Sequence, residues 1–406
     1  MGQTIKWIVN TNKNEPACQT DFLCQKEILT AKLFHESFPE YSPTPLRRLG
    51  NLARYLGVAG VYVKDERYRF GLKAFNVLGC SYAVACWVAR RLESDIAELT
   101  YTRLTSDEIR RKLGEITFTA ASTGNHGRAL AWTARLLKQK AVICLPKGMS
   151  ASRQEAIHSE GAETVMDGAN MDMAVVSVSA NARKNGWVLL QDTVQADSYD
   201  VCCWMMQGYG TMAAEAQEQL QAMGVEGPTH VLVQAGSGSL AGAIQGYFAS
   251  TFGSKRPQTV VVEASQADCL YQSVLSGQGE PCNVFGDLTT VMTGLARGRP
   301  HGIGWNILRT YSDMFASCPD WVAAKGMRVL GNPLENDDQI ISGESGAVTA
   351  GFLAELMTNK GLAGAKNALG LDKNSVVLLF STEGDVDPQI YRDIVWGGQC
   401  PAPGQP

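Results

Sequence analysis

The sequence predicts an α/β protein with mostly parallel sheets, and three observations carry that expectation. Short β-branched runs alternate with stretches of helical period along most of the chain, the rhythm of strand–helix–strand crossovers. Several of these runs end in turns rich in Gly, Ser or Thr that open directly into a helix. At 406 residues, 45% of them hydrophobic, the chain is long enough to bury more than one simple core.

In chain order, residues 26–37 read as a helix, and Tyr41-Ser42-Pro43-Thr44-Pro45-Leu46 then forces an extended passage, because two prolines flanking Thr44 forbid helix. Residues 61–65 read as a strand running into a glycine turn and a long helix. The pairs 116–119 with 125–137, and 141–145 with 152–160, repeat the unit. Strand 188–190, helix 209–223, strand 231–233, helix 240–249, strand 260–262 and strand 376–380 continue it. The charged stretch 93–114 and the Gly- and Pro-rich stretch 281–306 read as surface loops.

Composition excludes several classes. With 36 basic and 40 acidic residues the net charge is −4, and no basic tract is long enough to track a polyanion, so nucleic acid is not expected as a partner. No run approaches the roughly 18 apolar residues of a membrane span, and the first residues lack a signal-peptide apolar core. Eleven scattered cysteines without a Cys-x-x-Cys pair, beside five histidines without metal-ligand spacing, predict free thiols and no metal. A cytoplasmic protein acting on a small molecule is the expectation.

Ligands of parallel sheets bind at the carboxyl ends of strands, so the candidate site is sought there. After strand 61–65 comes Phe70-Gly71-Leu72-Lys73-Ala74-Phe75-Asn76, where Lys73 is expected in the first turn of a helix with Asn76 three residues on along the same face. After strand 116–119 comes Ser122-Thr123-Gly124-Asn125-His126-Gly127, a cap with an amide able to donate and accept. After strand 231–233 comes Gly236-Ser237-Gly238-Ser239, whose N–H groups can cradle a phosphate. After strand 376–380 comes Ser381-Thr382-Glu383-Gly384-Asp385, a hydroxyl beside two carboxylates. A dinucleotide fold with Glu263 as its ribose acid is the rival for the glycine loop, but the third glycine falls one residue late for G-x-G-x-x-G.

Together these motifs resemble the fold type II pyridoxal-phosphate enzymes (tryptophan synthase beta-like), and within them the diaminopropionate ammonia-lyases. The resemblance runs from Tyr41 to Trp396 through Lys64-Asp65-Glu66, Gln191-Asp192-Thr193, Met206-Gln207-Gly208-Tyr209 and Ser342-Gly343-Glu344-Ser345-Gly346-Ala347. It implies two three-layer αβα domains, a large one of residues 1–92 plus 193–406 and a small one of 93–192, in a homodimer. It implies pyridoxal 5'-phosphate as cofactor, with Asn125 at the ring hydroxyl, Gly236, Ser237, Gly238 and Ser239 at the phosphate, and Thr382 at the pyridine nitrogen. The function it implies is an ammonia-lyase that performs α,β-elimination on a small L-amino acid resembling diaminopropionate.

The chain departs from that pattern at several places. The family reads Asn-Ala-Phe-Lys, its lysine holding the cofactor; this chain reads Lys73-Ala74-Phe75-Asn76, and an amide cannot condense with an aldehyde. Lys73 is then the expected substitute amine and Asp192 the acid or base. Thr123 stands where the family has a carboxylate thought to act on the D-isomer. Residues 194–203 lack the family's Trp-Glu-Gly and Pro. Arg297 and Arg299 replace a cysteine and an acid, which leaves Cys269 without its family partner; arginines facing the cleft would favour a more anionic substrate, and the alternative for both is a solvated loop. The alternatives are a diverged lyase, isomerase or cyclase on the same scaffold that makes no link to the cofactor, and a non-catalytic pseudoenzyme.

Overall fold

The computed structural model describes residues 4–11, 20–192 and 199–404. Eleven described strands form two sheets: β1 (Lys6–Val9), β2 (Leu46–Arg48), β3 (Gly60–Asp65), β4 (Thr117–Ala121), β5 (Lys140–Leu145), β6 (Glu163–Met166), β7 (Val188–Leu189), β8 (His230–Gln234), β9 (Gln258–Ala264), β10 (Met314–Cys318) and β11 (Val376–Ser381). The larger sheet has the order β1-β10-β9-β8-β11-β3-β2, and the smaller β6-β5-β4-β7. All neighbours are parallel except the two edge pairs of the larger sheet, β1 with β10 and β2 with β3.

Alternation along the central strands explains why the large sheet is covered on both faces. Tyr62 of β3, Val231 and Val233 of β8, and Leu378 and Phe380 of β11 enter one core. Their neighbours Val61 and Val63, Leu232, and Val377 and Leu379 enter the other. A strand apolar on both faces can be satisfied only between two helical layers, which is what a parallel sheet requires.

One helix pair sets the position of the site. The helix Asn76–Arg91 crosses the helix Tyr199–Ala222 so closely that a Cβ on Gly208 would lie 2.3 Å from the Leu78 carbonyl oxygen. Any larger residue there would push the helices apart. The turn leading to Asn76 is pinned by a buried ionic cluster: Lys64 to Glu215 at 2.6 Å, and Arg69 to Glu66 and to Glu215 at 2.8 Å each. Thr44 Oγ1 donates to Glu66 at 2.6 Å, which ties in the extended segment between the two prolines. With two cations facing two anions, losing any one member would strand a buried charge at a cost of about 3–5 kcal/mol.

Several elements differ from the sequence expectation. The helix expected over 209–223 begins ten residues earlier, at Tyr199. The stretch 93–114 contains two short helices, Tyr101–Leu104 and Asp107–Leu113. Lys73 is not helical: it has φ 59° in a turn, and the helix starts at Asn76. Thr193, the departures at 194–198 and Cys18 lie outside the described residues.

Candidate active site

The turn after β3 is unusual because two non-glycine residues, Phe70 at φ 47° and Lys73 at φ 59°, take left-handed backbone. It is fastened to the end of β11 rather than shaped by its own sequence. Phe75 N donates to the Thr382 carbonyl at 3.0 Å, Gly384 N donates to the Lys73 carbonyl at 2.9 Å, and Ala74 bridges Glu383. The left-handed twist sends the Lys73 side chain to Asp385, where Nζ lies 2.9 Å from Oδ1. Asn76, by contrast, lines a cavity of about 780 Å³, mouth included.

Much of that cavity's wall is made of residues that follow strand ends. Beyond β4, Ser122 Oγ accepts from Gly124 N and Gly127 N at 2.9 and 2.8 Å, which caps the helix Asn125–Leu136 and presents Asn125. Asn125 Nδ2 donates to Glu383 Oε2 at 2.6 Å. Beyond β8, Gly238 at φ 102° turns the chain into the helix Ser239–Phe252, so its first N–H groups meet the cavity. Beyond β11, the Thr382 hydroxyl accepts from Gln234 Nε2 at 2.6 Å, leaving its own proton to donate. Glu263, the ribose acid of the rival reading, is instead consumed inside the protein, accepting from Leu270 N and Tyr271 N at 2.8 and 2.7 Å.

Asp192 follows β7 and is aimed by Gln191, which accepts from Ala121 N and donates to Asp192 Oδ1 at 3.1 Å. Burial alone would raise its pKa, yet Arg297, His126 and His301 hold it below the ordinary carboxylate range. Burial keeps both histidines from protonating, His301 falling to about 4, so Arg297 is the cation that acts at neutral pH. Across the cavity, Glu383 accepts from Asn125 and from Ser345 N and lies beside Glu344. Burial and that neighbour push Glu344 up to about 7.

A pH dependence follows. Between the ordinary value near 4.5 and about 7, the unfolded chain has lost the Glu344 proton while the folded chain keeps it. The contribution of this group to stability therefore falls as pH rises through that window, by about 3 kcal/mol. Glu344→Gln should flatten the slope, so that urea midpoints of variant and parent draw apart between pH 5 and pH 8. Parallel curves would show that Glu344 titrates normally.

Of the residues expected at the site, Asn76, Thr123, Asn125, Asp192, Gly236, Ser237, Gly238, Ser239 and Thr382 all line the one cavity. Lys73 is not brought there. Of the two arginines, Arg297 lines it and Arg299 is exposed outside it. Gln234 and Arg153 were missed; Arg153 Nη1 donates to the Thr123 carbonyl at 3.0 Å from a different helix. Gln234 directly follows a predicted strand and was open to discovery on that ground, whereas Arg153 had no local signal. Among the described residues, no group of three or more His, Cys, Asp or Glu could hold a metal, and Cys269 is a free thiol.

A family model described as pyridoxal-phosphate dependent enzyme matches residues 38–382. The chain belongs to the pyridoxal-phosphate-dependent enzyme family. It is 46% identical over 367 residues to a diaminopropionate ammonia-lyase of Salmonella typhimurium, covering 90% of this chain and 91% of the relative. It is also similar to the Escherichia coli diaminopropionate ammonia-lyase in complex with D-serine, with TM-score 0.91, 40% identity and 99% of each chain covered. The same E. coli enzyme in complex with an aminoacrylate-PLP azomethine reaction intermediate gives TM-score 0.89 at 40% identity, covering 98% of each chain.

The cavity fits the family's cofactor at all but one position. Ser239 Oγ, at the N-terminus of its helix, is buried without a hydrogen-bond partner among the described residues, as expected of a donor meant for an anion. The unpartnered Asn76 Oδ1 is also buried, but it belongs to an amide and offers no nucleophile.

Proposed function

We propose that this chain is a pyridoxal-phosphate-dependent carbon–nitrogen lyase for a small L-amino acid that holds its cofactor without a covalent tether. The observation that supports the proposal is that Asn125, Gly236, Ser237, Gly238, Ser239 and Thr382 line one cavity while residue 76 is an amide and Lys73 is anchored on Asp385. The helix N-terminus at Gly236–Ser239 would receive the phosphate, Thr382 the pyridine nitrogen and Asn125 the ring hydroxyl. Pyridoxal phosphate supplies an aldehyde that condenses with an amino group and a conjugated ring that takes up electrons when a bond at the α-carbon breaks.

The protein's part is binding and proton transfer. Asp192 is the carboxylate placed to hold a proton taken from or returned to the substrate, and its depressed pKa keeps it in the accepting form. Thr123 offers no base on the opposite side, and Asn76 can orient a ligand but cannot move a proton at neutral pH. A homodimer and a cytoplasmic setting belong to the same proposal, supported by the resemblance and, for the second, by the free thiols of the described cysteines.

Protein loaded with the cofactor and desalted is expected to retain it, to carry no adduct after borohydride, and to release keto acid and ammonia from L- but not D-diaminopropionate. Failure to retain the cofactor, or equal rates on the two isomers, would overturn this reading.

A further inference from the structure

We infer that Arg297 tunes the choice of substrate: the site prefers L-amino acids whose β-substituent carries a carboxylate or equivalent anion over those whose β-substituent is cationic. The inference deepens the proposed lyase function and rests on that reading for the orientation of the substrate. It begins from an arginine that is enclosed but under-used. The Arg297 side chain is only 12% exposed, yet its one ion pair among the described residues is to Asp192 at 3.9 Å, too long for a hydrogen bond, and no described side chain or carbonyl accepts from its guanidinium.

The other charges of the cavity are engaged. Arg153 donates to the Thr123 carbonyl, and Glu383 accepts from Asn125 and Ser345. Among the charged groups of the cavity, the unfilled hydrogen-bonding capacity therefore lies at the pair Arg297 and Asp192, with Asp192 19% exposed and Arg297 facing it. A guanidinium fork matches a carboxylate with two parallel hydrogen bonds, so an anion entering between the two would displace a loose contact by a good one. An ammonium or a proton-bearing carbon on the same ligand then falls beside Asp192. A ligand with two cationic groups, such as diaminopropionate, can satisfy Asp192 but leaves Arg297 unpaired, so the site accepts it with lower affinity.

Arg297 also borders the phosphate loop: a Cβ on Gly236 would stand 3.0 Å from Arg297 Cγ. The anion it meets has two sources, the cofactor's phosphate or the substrate's side chain, and the test separates them. L-Aspartate and L-asparagine are nearly equal in shape and differ in side-chain charge, and neither carries a good β leaving group, so binding to cofactor-loaded protein can be read at equilibrium by calorimetry.

The parent protein is expected to bind L-aspartate at least tenfold more tightly than L-asparagine. Arg297→Gln should bring that ratio close to one, Arg297→Lys should restore part of it, and both variants should keep the parent's affinity for pyridoxal phosphate. Equal binding of the two amino acids by the parent overturns the inference. So does an equal loss for both in Arg297→Gln, which would assign the arginine to the α-carboxylate. A loss of cofactor affinity in that variant would assign it to the phosphate and also overturn it. If the parent does not retain the cofactor, the lyase reading fails by that measurement alone, and the aspartate-to-asparagine ratio on the cofactor-free protein still decides the role of Arg297.

Discussion

Asn76→Lys is expected to turn a protein that holds pyridoxal phosphate reversibly into one that links it covalently. Asn76 is the first residue of its helix, half-buried on the cavity wall, and its Oδ1 has no partner to lose among the described residues. A lysine there would carry its ammonium into a partly desolvated space lined by Arg153 and Arg297, where burial and like charge lower its pKa and expose the free amine as a nucleophile. The variant loaded with the cofactor should show a new absorption at the edge of the visible, and borohydride should bleach it while fixing about one cofactor per chain, as a mass increase on the peptide that contains residue 76. Lys73→Ala should leave the parent's spectrum unchanged, since the Lys73 ammonium is engaged with Asp385. A lysine variant that binds the cofactor without an adduct would show that position 76 does not face the aldehyde.

The second large effect is expected at Gly238. Its φ of 102° is strained for any residue with a Cβ, and a Cβ there meets Leu308 Cδ1 at 3.1 Å. Gly238→Asp adds to that strain a carboxylate among N–H groups directed at an anion. Affinity for pyridoxal phosphate should drop by at least about 100-fold, roughly 3 kcal/mol, from repulsion and occupation of those donors together. Gly238→Ala carries the strain and the methyl group without the charge, and should lose distinctly less. Fluorescence titration with the cofactor, with circular dichroism to confirm folding, separates the two; near-normal binding by the aspartate variant would remove this loop from the phosphate site.

The fold was legible because its central strands are apolar on both faces and separated by helical periods, a pattern that local sequence carries. The edge strand Lys6–Val9 is only partly buried and shows no alternation, and β10, with Ala316, Ser317 and Cys318, lacks the β-branched signature although every residue is buried. Much of the cavity was legible for a related reason: those parts of its wall follow strand ends marked by Gly, Ser and Thr. What the sequence could not reveal was the direction of two long side chains. Lys73 points away because hydrogen bonds from a segment some 300 residues distant impose a left-handed turn on it. Arg297 faces the cavity and Arg299 does not, in an irregular loop where no period distinguishes positions two apart.

The stitching of that turn to the end of β11 bears on how such a site can change over descent. Because the backbone of residues 73–75 is tied to Thr382, Glu383 and Gly384 by main-chain hydrogen bonds, its path is held by contacts that do not involve the side chains at 73 and 76. The left-handed position at 73 suits asparagine better than lysine, a difference of about 1 kcal/mol at most, and the partly exposed contact with Asp385 offsets part of it. Scaffold and chemistry are thus separately heritable here. Asparagine and lysine codons differ by one base, so an ancestral amine could be lost, or regained, in a single mutational step that the rest of the molecule would scarcely register.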